Sequence, residues 1–377
     1  MIVLLAAALL LAAEAQAHDP STYGGVFRSR DLGGTWLNAD VGLFLNAALV
    51  VAADPEDPND LLLGTDTGLL GSTNGGRSWA AEGGGAIAGP VFAVAFSPDG
   101  RGAICVAPGG VFRLRNGTWE RVSAPRDAAP ARGALYLSAG RVYLLGRGGL
   151  YVSDDSGGNF RRAPGSPPPE AAITSLAAAK GMLVAVVDRK LMVNADGTWR
   201  ALEVAGAPVD TATADRIGRL WAASADRIYM SDDAGRHWQP IGNPLPEPQT
   251  EVRGIAADAA GETLVVTTHR GLYRSVDRGL VWELKENNLP VHLEAGPLAR
   301  DAKDPTTLFA VYSLMPYPAV WQTALQGGTL LARVDVIDLA GGTAFLLLLF
   351  LSGGLLVVWL RREPAPRGDG NRQGPPP

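Results

Sequence analysis

The stretch Gly25-Val26-Phe27-Arg28-Ser29-Arg30-Asp31-Leu32-Gly33-Gly34-Thr35-Trp36 recurs along the chain. A second copy reads Gly68-Leu69-Leu70-Gly71-Ser72-Thr73-Asn74-Gly75-Gly76-Arg77-Ser78-Trp79, and a later one Gly149-Leu150-Tyr151-Val152-Ser153-Asp154-Asp155-Ser156-Gly157-Gly158-Asn159-Phe160. Two more keep the second half, as Ser231-Asp232-Asp233-Ala234-Gly235-Arg236-His237-Trp238 and Ser275-Val276-Asp277-Arg278-Gly279-Leu280-Val281-Trp282. Shortened copies fill the gaps at Leu114-Arg115-Asn116-Gly117-Thr118-Trp119 and Val193-Asn194-Ala195-Asp196-Gly197-Thr198-Trp199. Successive copies lie roughly 38 to 44 residues apart, the length of one four-stranded propeller blade.

Each part of the repeat has a physical reason. Apolar alternation before the Ser makes a half-buried strand. The Asp or Asn accepts hydrogen bonds from backbone N–H groups of the turn, the Gly supplies a positive φ, and the Trp opens the next strand with its ring under the turn. The staple positions are Ser29, Asp31, Gly33 and Trp36; Ser72, Asn74, Gly76 and Trp79; Ser153, Asp155, Gly157 and Phe160; Ser231, Asp233, Gly235 and Trp238; Ser275, Asp277, Gly279 and Trp282. They are structural, not catalytic.

On these repeats residues 22–315 resemble the Asp-box, or BNR-repeat, β-propellers. That superfamily includes sialidases, xyloglucan-cleaving glycosidases, sortilin-type receptors and photosystem II assembly factors. The segment 51–65, with Asp54-Pro55-Glu56-Asp57-Pro58-Asn59, looks like the entry to a blade in the sortilin and xyloglucanase branches. A second version, Asp301-Ala302-Lys303-Asp304-Pro305-Thr306, comes late and has no Asp-box after it. The chain thus opens with the outer half of a blade (24–38) and closes with an inner half (about 296–313). Joined, they complete a ring without a dangling sheet edge. The fold expected is all-β: a seven-bladed propeller over 18–316.

Composition agrees. Gly 47 and Pro 27 are spread along the 377 residues, as many short turns require. A net charge of -5 gives no basic face for nucleic acid. A single cysteine, Cys105, excludes an internal disulfide and reads as a buried strand residue.

The ends carry a different code. Residues 1–17 read as a secretory signal, an apolar run followed by Ala15-Gln16-Ala17, although no Lys or Arg precedes the run. Residues 338–360 read as a transmembrane helix: from 339 on they carry no charge, and at about 1.5 Å per residue they reach roughly 30 Å. Arg361-Arg362 keep the tail 361–377 cytoplasmic under the positive-inside rule, which leaves the ring outside and makes 317–337 a juxtamembrane linker.

A reactive centre is harder to find. The resemblance implies that the Asp-boxes lie on the rim away from the ligand-binding face. The Arg-Ile-Pro signature of sialidases is missing, and Phe27-Arg28-Ser29 does not replace it. Carboxylates such as Asp210, Glu247 and Glu251 cannot be paired by spacing alone. His18, His237, His269 and His292 have no metal-ligand spacing; His18 would become the N-terminus after cleavage and could then chelate copper. No cofactor is expected. The leading reading is a non-catalytic, membrane-held platform for a protein partner that is itself membrane-associated. Its contacts would lie in the Pro-rich loops 124–133, 161–169 and 241–250 and at Arg126, Arg132, Arg161, Arg162 and Arg270. The rival is a membrane-tethered glycosidase acting on extracellular glycans.

Overall fold

The opening repeat forms β1 (Gly25–Ser29) and the two-residue β2 (Leu37–Asn38), joined by the Ser-x-Asp turn. The next unit is β3 (Ala48–Ala53), β4 (Leu61–Thr65), β5 (Leu69–Ser72) and β6 (Ala80–Ala81). Then come β7 (Ala93–Phe96), β8 (Gly102–Ala107), β9 (Gly110–Arg115) and β10 (Thr118–Arg121). The fourth unit is β11 (Ala131–Ser138), β12 (Arg141–Gly146), β13 (Gly149–Ser153) and β14 (Arg161–Arg162), and the fifth β15 (Ile173–Ala179), β16 (Met182–Val187), β17 (Lys190–Asn194) and β18 (Trp199–Leu202). The sixth is β19 (Thr211–Ala214), β20 (Leu220–Ser224), β21 (Arg227–Ser231) and β22 (Gln239–Pro240). The last full unit is β23 (Val252–Ala257), β24 (Leu264–Thr268), β25 (Gly271–Ser275) and β26 (Glu283–Leu284), before β27 (Glu294–Arg300), β28 (Leu308–Ser313) and the helix α1 (Tyr317–Leu325).

These elements come from a computed structural model that describes residues 24–40, 43–179, 181–194, 198–327 and Ser352. The chain divides into units 1–329 and 330–377. The signal-like residues 1–17 and, Ser352 apart, the apolar stretch 338–360 lie outside the described residues. Among those described, no helix is long and apolar enough to cross a membrane.

The strands make seven four-stranded antiparallel sheets, a seven-bladed propeller. Each innermost strand neighbours the next, from β27 through β3, β7, β11, β15, β19 and β23 and back to β27. The second strand of a blade is covered on both faces, so β4, β24 and β28 are buried throughout and read as continuous apolar runs. Cys105, on β8, is fully buried, which raises its thiol far above the ordinary range.

Closure is as the half-blades imply. The first blade has the order β2-β1-β28-β27, with Gly25 opposite Tyr312 and Ser29 opposite Leu308. Phe27 meets Tyr312 edge-on, at 5.4 Å between ring centroids. Just after β2, the 3 % exposed Asp40 accepts the N–H of Val26 at 2.9 Å. Burial raises its carboxyl to about 6, partly offset by that hydrogen bond. A raised carboxyl stabilises the fold most when protonated; its contribution is complete below about pH 4 and disappears as pH rises through about 6. Asp40→Asn, which keeps an acceptor without the charge, is expected to stabilise the protein at pH 7.5 by about 2–3 kcal/mol and to flatten the pH 4–7 stability profile. Urea unfolding at several pH values checks this, and an unchanged slope would contradict it.

The Ser-x-Asp turns share one geometry. Ser153 Oγ donates to Asp155 Oδ1 (2.6 Å) and accepts the buried Gly157 N–H (2.9 Å), while Asp155 Oδ1 accepts the Asn159 N–H (2.9 Å). The same bonds recur at Ser29/Asp31, Ser72/Asn74, Ser231/Asp233 and Ser275/Asp277. The Ser153 hydroxyl, opposed by burial, and then Asn159 hold Asp155 down at about 2. Trp36 and Trp238 donate their indole N–H back to Gly33 and Gly235, each at 3.1 Å. His237 fills the Thr position and contacts Asp233 through Nδ1 at 2.5 Å.

The turns also bind blade to blade. Arg28 donates to Gly75 O (2.8 Å), Arg113 to Asp155 O (3.5 Å) and Arg274 to Leu32 O (2.9 Å), each reaching the turn of the following blade. Gly157 has φ +86°, and a side chain there would also run into Ile104 of the preceding blade. The shortened copy at 114–118 uses no such staple. Asn116 (φ 51°) and Gly117 (φ 75°) make a two-residue hairpin turn of the kind Asn-Gly favours. Ser153→Ala leaves the Gly157 N–H buried and unpaired and is expected to cost about 1–3 kcal/mol. Thr118→Ala, at an exposed strand residue beside the unstapled hairpin, gives a control in the same unfolding assay; equal losses would deny the staple its role.

Candidate functional site: the mouth of the ring

In a four-stranded antiparallel blade the first-to-second and third-to-fourth turns fall on one face, and the second-to-third turns and blade-to-blade loops on the other. The Ser-x-Asp turns therefore occupy one face, and every innermost strand begins at the opposite one. β28 also ends there, and α1 follows three residues later, across the mouth of the ring.

Pro318 suits the first turn of α1, where its missing N–H costs nothing. No side chain within the helix caps it; instead Glu294, at the start of β27, accepts the Tyr317 N–H at 3.1 Å. Val320, Trp321, Thr323 and Ala324 form the buried side of the helix. Val320 packs with Ala47 and Leu49, and Trp321 meets Phe92 edge-on at 5.3 Å. Burying Val320 and Trp321 stabilises the seat by about 1.5–3 kcal/mol each.

Two arginines face the aromatic side chains. Arg132, on β11, places its guanidinium 4.4 Å from the Trp321 ring centre, and Arg253, on β23, lies 4.5 Å from that of Tyr317. Such contacts contribute about 0.5–2 kcal/mol each. Arg253 is also paired with Glu294 (2.8 Å) and Glu251 (3.5 Å). Burial lowers its basicity, but Glu251 and Glu294 outweigh that and leave it raised. The Tyr317 hydroxyl reaches the carbonyl oxygens of Ala48 and Leu49, each at 3.1 Å, and burial raises its ionisation well above the ordinary range.

The residues singled out from sequence do not converge. Arg132 lies on strand β11, not in a loop, and its guanidinium stacks on Trp321 of α1. Arg126 lines a groove of about 270 Å³ with Pro108 and Pro125. Arg161 and Arg162 form β14, again a strand; Arg161 pairs with Asp154 (2.6 Å) near the stapled rim, and Arg162 donates to Gly148 O and Pro167 O. Arg270 pairs with Glu247. Asp210 pairs with Arg189 at 2.9 Å, so Asp210, Glu247 and Glu251 each answer a different cation. Residues 317–325, read as linker, are α1. Among the described residues no group of three or more His, Cys, Asp or Glu could hold a metal ion. Sequence reasoning missed Phe92, Arg253, Glu294 and Gly296; the available signal was Tyr317 and Trp321, aromatic residues four apart behind a proline.

No protein-family model matches the chain, and no curated protein does. Solved structures do. One described as YCF48 bound to D1 peptide is 18% identical, covering 71% of this chain and 94% of that one, with a TM-score of 0.56. The GH74 xyloglucanase from Xanthomonas campestris gives the same identity and TM-score over 71% of this chain but 55% of its own. YCF48 from Cyanidioschyzon merolae is 14% identical over 72% of this chain and 97% of its own, with a TM-score of 0.55. What they share with this chain is the propeller fold.

Proposed function

We propose that the protein is a non-catalytic docking platform whose ring mouth receives a polypeptide segment of a protein partner. One observation carries this: the mouth already holds a polypeptide segment, α1, through arginine–aromatic contacts, a Glu294 cap and an apolar seat. One structural neighbour of the same fold is described with a peptide bound, which is compatible with a ring used in this way. A GH74 xyloglucanase is an equally similar neighbour, so the glycosidase reading is weighed on the mouth itself. Glu251 and Glu294, the carboxylates beside the mouth, both flank one guanidinium.

The platform is held to a membrane by residues 338–360 with the ring outside the cytoplasm, the orientation argued by Arg361-Arg362, and its partner is associated with the same membrane. Shared attachment raises the effective concentration of two proteins on one surface.

Photo-crosslinking tests the platform. A benzophenone amino acid at Phe44, 84% exposed on the mouth side, is expected to give discrete adducts in native membranes, whereas one at Val281, 67% exposed on the stapled side, is not. Equal labelling from both positions, or hydrolysis of xyloglucan or sialosides by the purified chain, would overturn the proposal.

A further inference from the structure

We infer that the mouth is a receptor for a helical segment with aromatic residues four apart, and that α1 is the chain's own copy of that ligand, which a partner's segment must displace. The inference rests on the docking reading and adds to it the chemistry of the ligand and a built-in competitor.

The chemistry follows from what the mouth leaves unsatisfied. Arg253 already has two carboxylates, Glu251 and Glu294, so an acidic ligand gains little there. What remains is the flat face of the guanidinium, which suits an aromatic ring. Arg132 offers a second such face and is otherwise exposed. Between them Glu294 accepts a free N–H at a helix start, and the Ala48 and Leu49 carbonyl oxygens accept a phenol. Gly296 leaves room for the ring: a methyl group there would lie 2.9 Å from Tyr317 Cζ and also 2.6 Å from Val311 Cγ2 of β28. A helix with Tyr at its first position and Trp four residues later satisfies all of these groups.

α1 is also built to leave. It contributes no strand to any sheet, so its departure opens no blade. Only residues 314–316 connect it to β28, and its outer side, with Ala319 and Gln322, faces solvent. While seated it competes at an effective concentration on the order of 1 mM, which weakens a free peptide of ~10 μM affinity by about a hundredfold.

The test uses the full chain in detergent-containing buffer and a fluorescein-labelled synthetic peptide of residues 315–327, followed by fluorescence anisotropy. The double variant Tyr317→Ala/Trp321→Ala is expected to bind the peptide at least tenfold more tightly than the unsubstituted chain. Adding Arg132→Ala, which removes the guanidinium face under the Trp ring at an exposed position, is expected to weaken that binding at least fivefold. Should the double variant not fold, a specific protease site inserted after Leu314 and cut in the folded protein gives the same comparison. Equal binding with α1 present and absent, or no binding by a folded ring lacking α1, overturns the inference. The crosslink at Phe44 separates the two readings. Adducts that α1 release leaves unchanged would remove the competitor but keep the platform, whereas no adducts in either state would remove the platform itself.

Discussion

Phe27→Ala is expected to lower the unfolding free energy by about 3–5 kcal/mol, in the upper range for a buried aromatic residue. Phe27 is fully buried in a cluster that spans both ends of the chain: Leu32 and Trp36 from the opening repeat, Leu308, Ala310 and Tyr312 from β28, and Val265 and Leu272 from the blade between. The cavity left by the ring cannot easily collapse, because its walls belong to separate sheets held by their own ladders. The edge contact with Tyr312 is lost as well. Unlike any other blade, the first joins the two ends of the ring's sequence, through the β1–β28 ladder and the Leu32 N–H donated to Thr306 O (2.8 Å). The substitution should therefore also expose β1 to proteolysis. Phe112→Ala, at a similarly buried residue within an unbroken blade, should destabilise the protein without that exposure. A loss below about 1 kcal/mol for Phe27→Ala, or equal cleavage of the two variants, would mean that closure is not the weak seam.

The ring was legible in the sequence because its information is local and repeated. Ser153, Asp155 and Gly157 bond to one another within five residues, so a short window contains the whole device, and five copies mark the blades. Closure was legible for a related reason: Asp301-Ala302-Lys303-Asp304-Pro305 announces a blade entry, and the residues able to finish that blade stand at the other end of the chain. The mouth follows the opposite logic. Phe92, Arg132, Arg253 and Glu294 each begin or precede an innermost strand, and only the circular arrangement of blades brings them together. Those strands are weakly patterned, as Thr211-Ala212-Thr213-Ala214 shows, because one side of each faces the channel and not a neighbouring sheet. The Pro-rich stretch 124–133 reads as a loop, yet strand β11 starts at Ala131, immediately after Pro130. The stapled face spends its polar groups on turns and blade contacts, and this leaves the opposite face free to carry ligand chemistry.

Asp215→Ala is expected to cost about 3–5 kcal/mol, since it removes one partner of a buried ion pair and leaves the other charged. Asp215 Oδ2 lies 2.5 Å from Arg219 Nε, with the two side chains 8% and 11% exposed. The same oxygen accepts the Trp221 indole N–H at 3.1 Å, and Oδ1 accepts the backbone N–H groups of Ile217 and Arg219. Arg219 in turn reaches the carbonyl oxygens of Asp258 (2.6 Å) and Ala259 (3.1 Å) in the next blade, so the pair joins two sheets across the stapled face. Truncating the carboxylate therefore strands a guanidinium and an indole donor at once. Adding Arg219→Met should recover part of the loss, because an apolar pair of similar volume has no charge left to solvate, though the Asp258 and Ala259 carbonyl oxygens then lose their donor. Urea unfolding of the two single variants and the double variant gives the coupling directly; a value below about 0.5 kcal/mol would make the pair incidental. The site is on the face opposite the mouth, so peptide binding at α1's seat should be unchanged in any of these variants that remains folded. A change in that binding would mean the two faces are coupled through the blades.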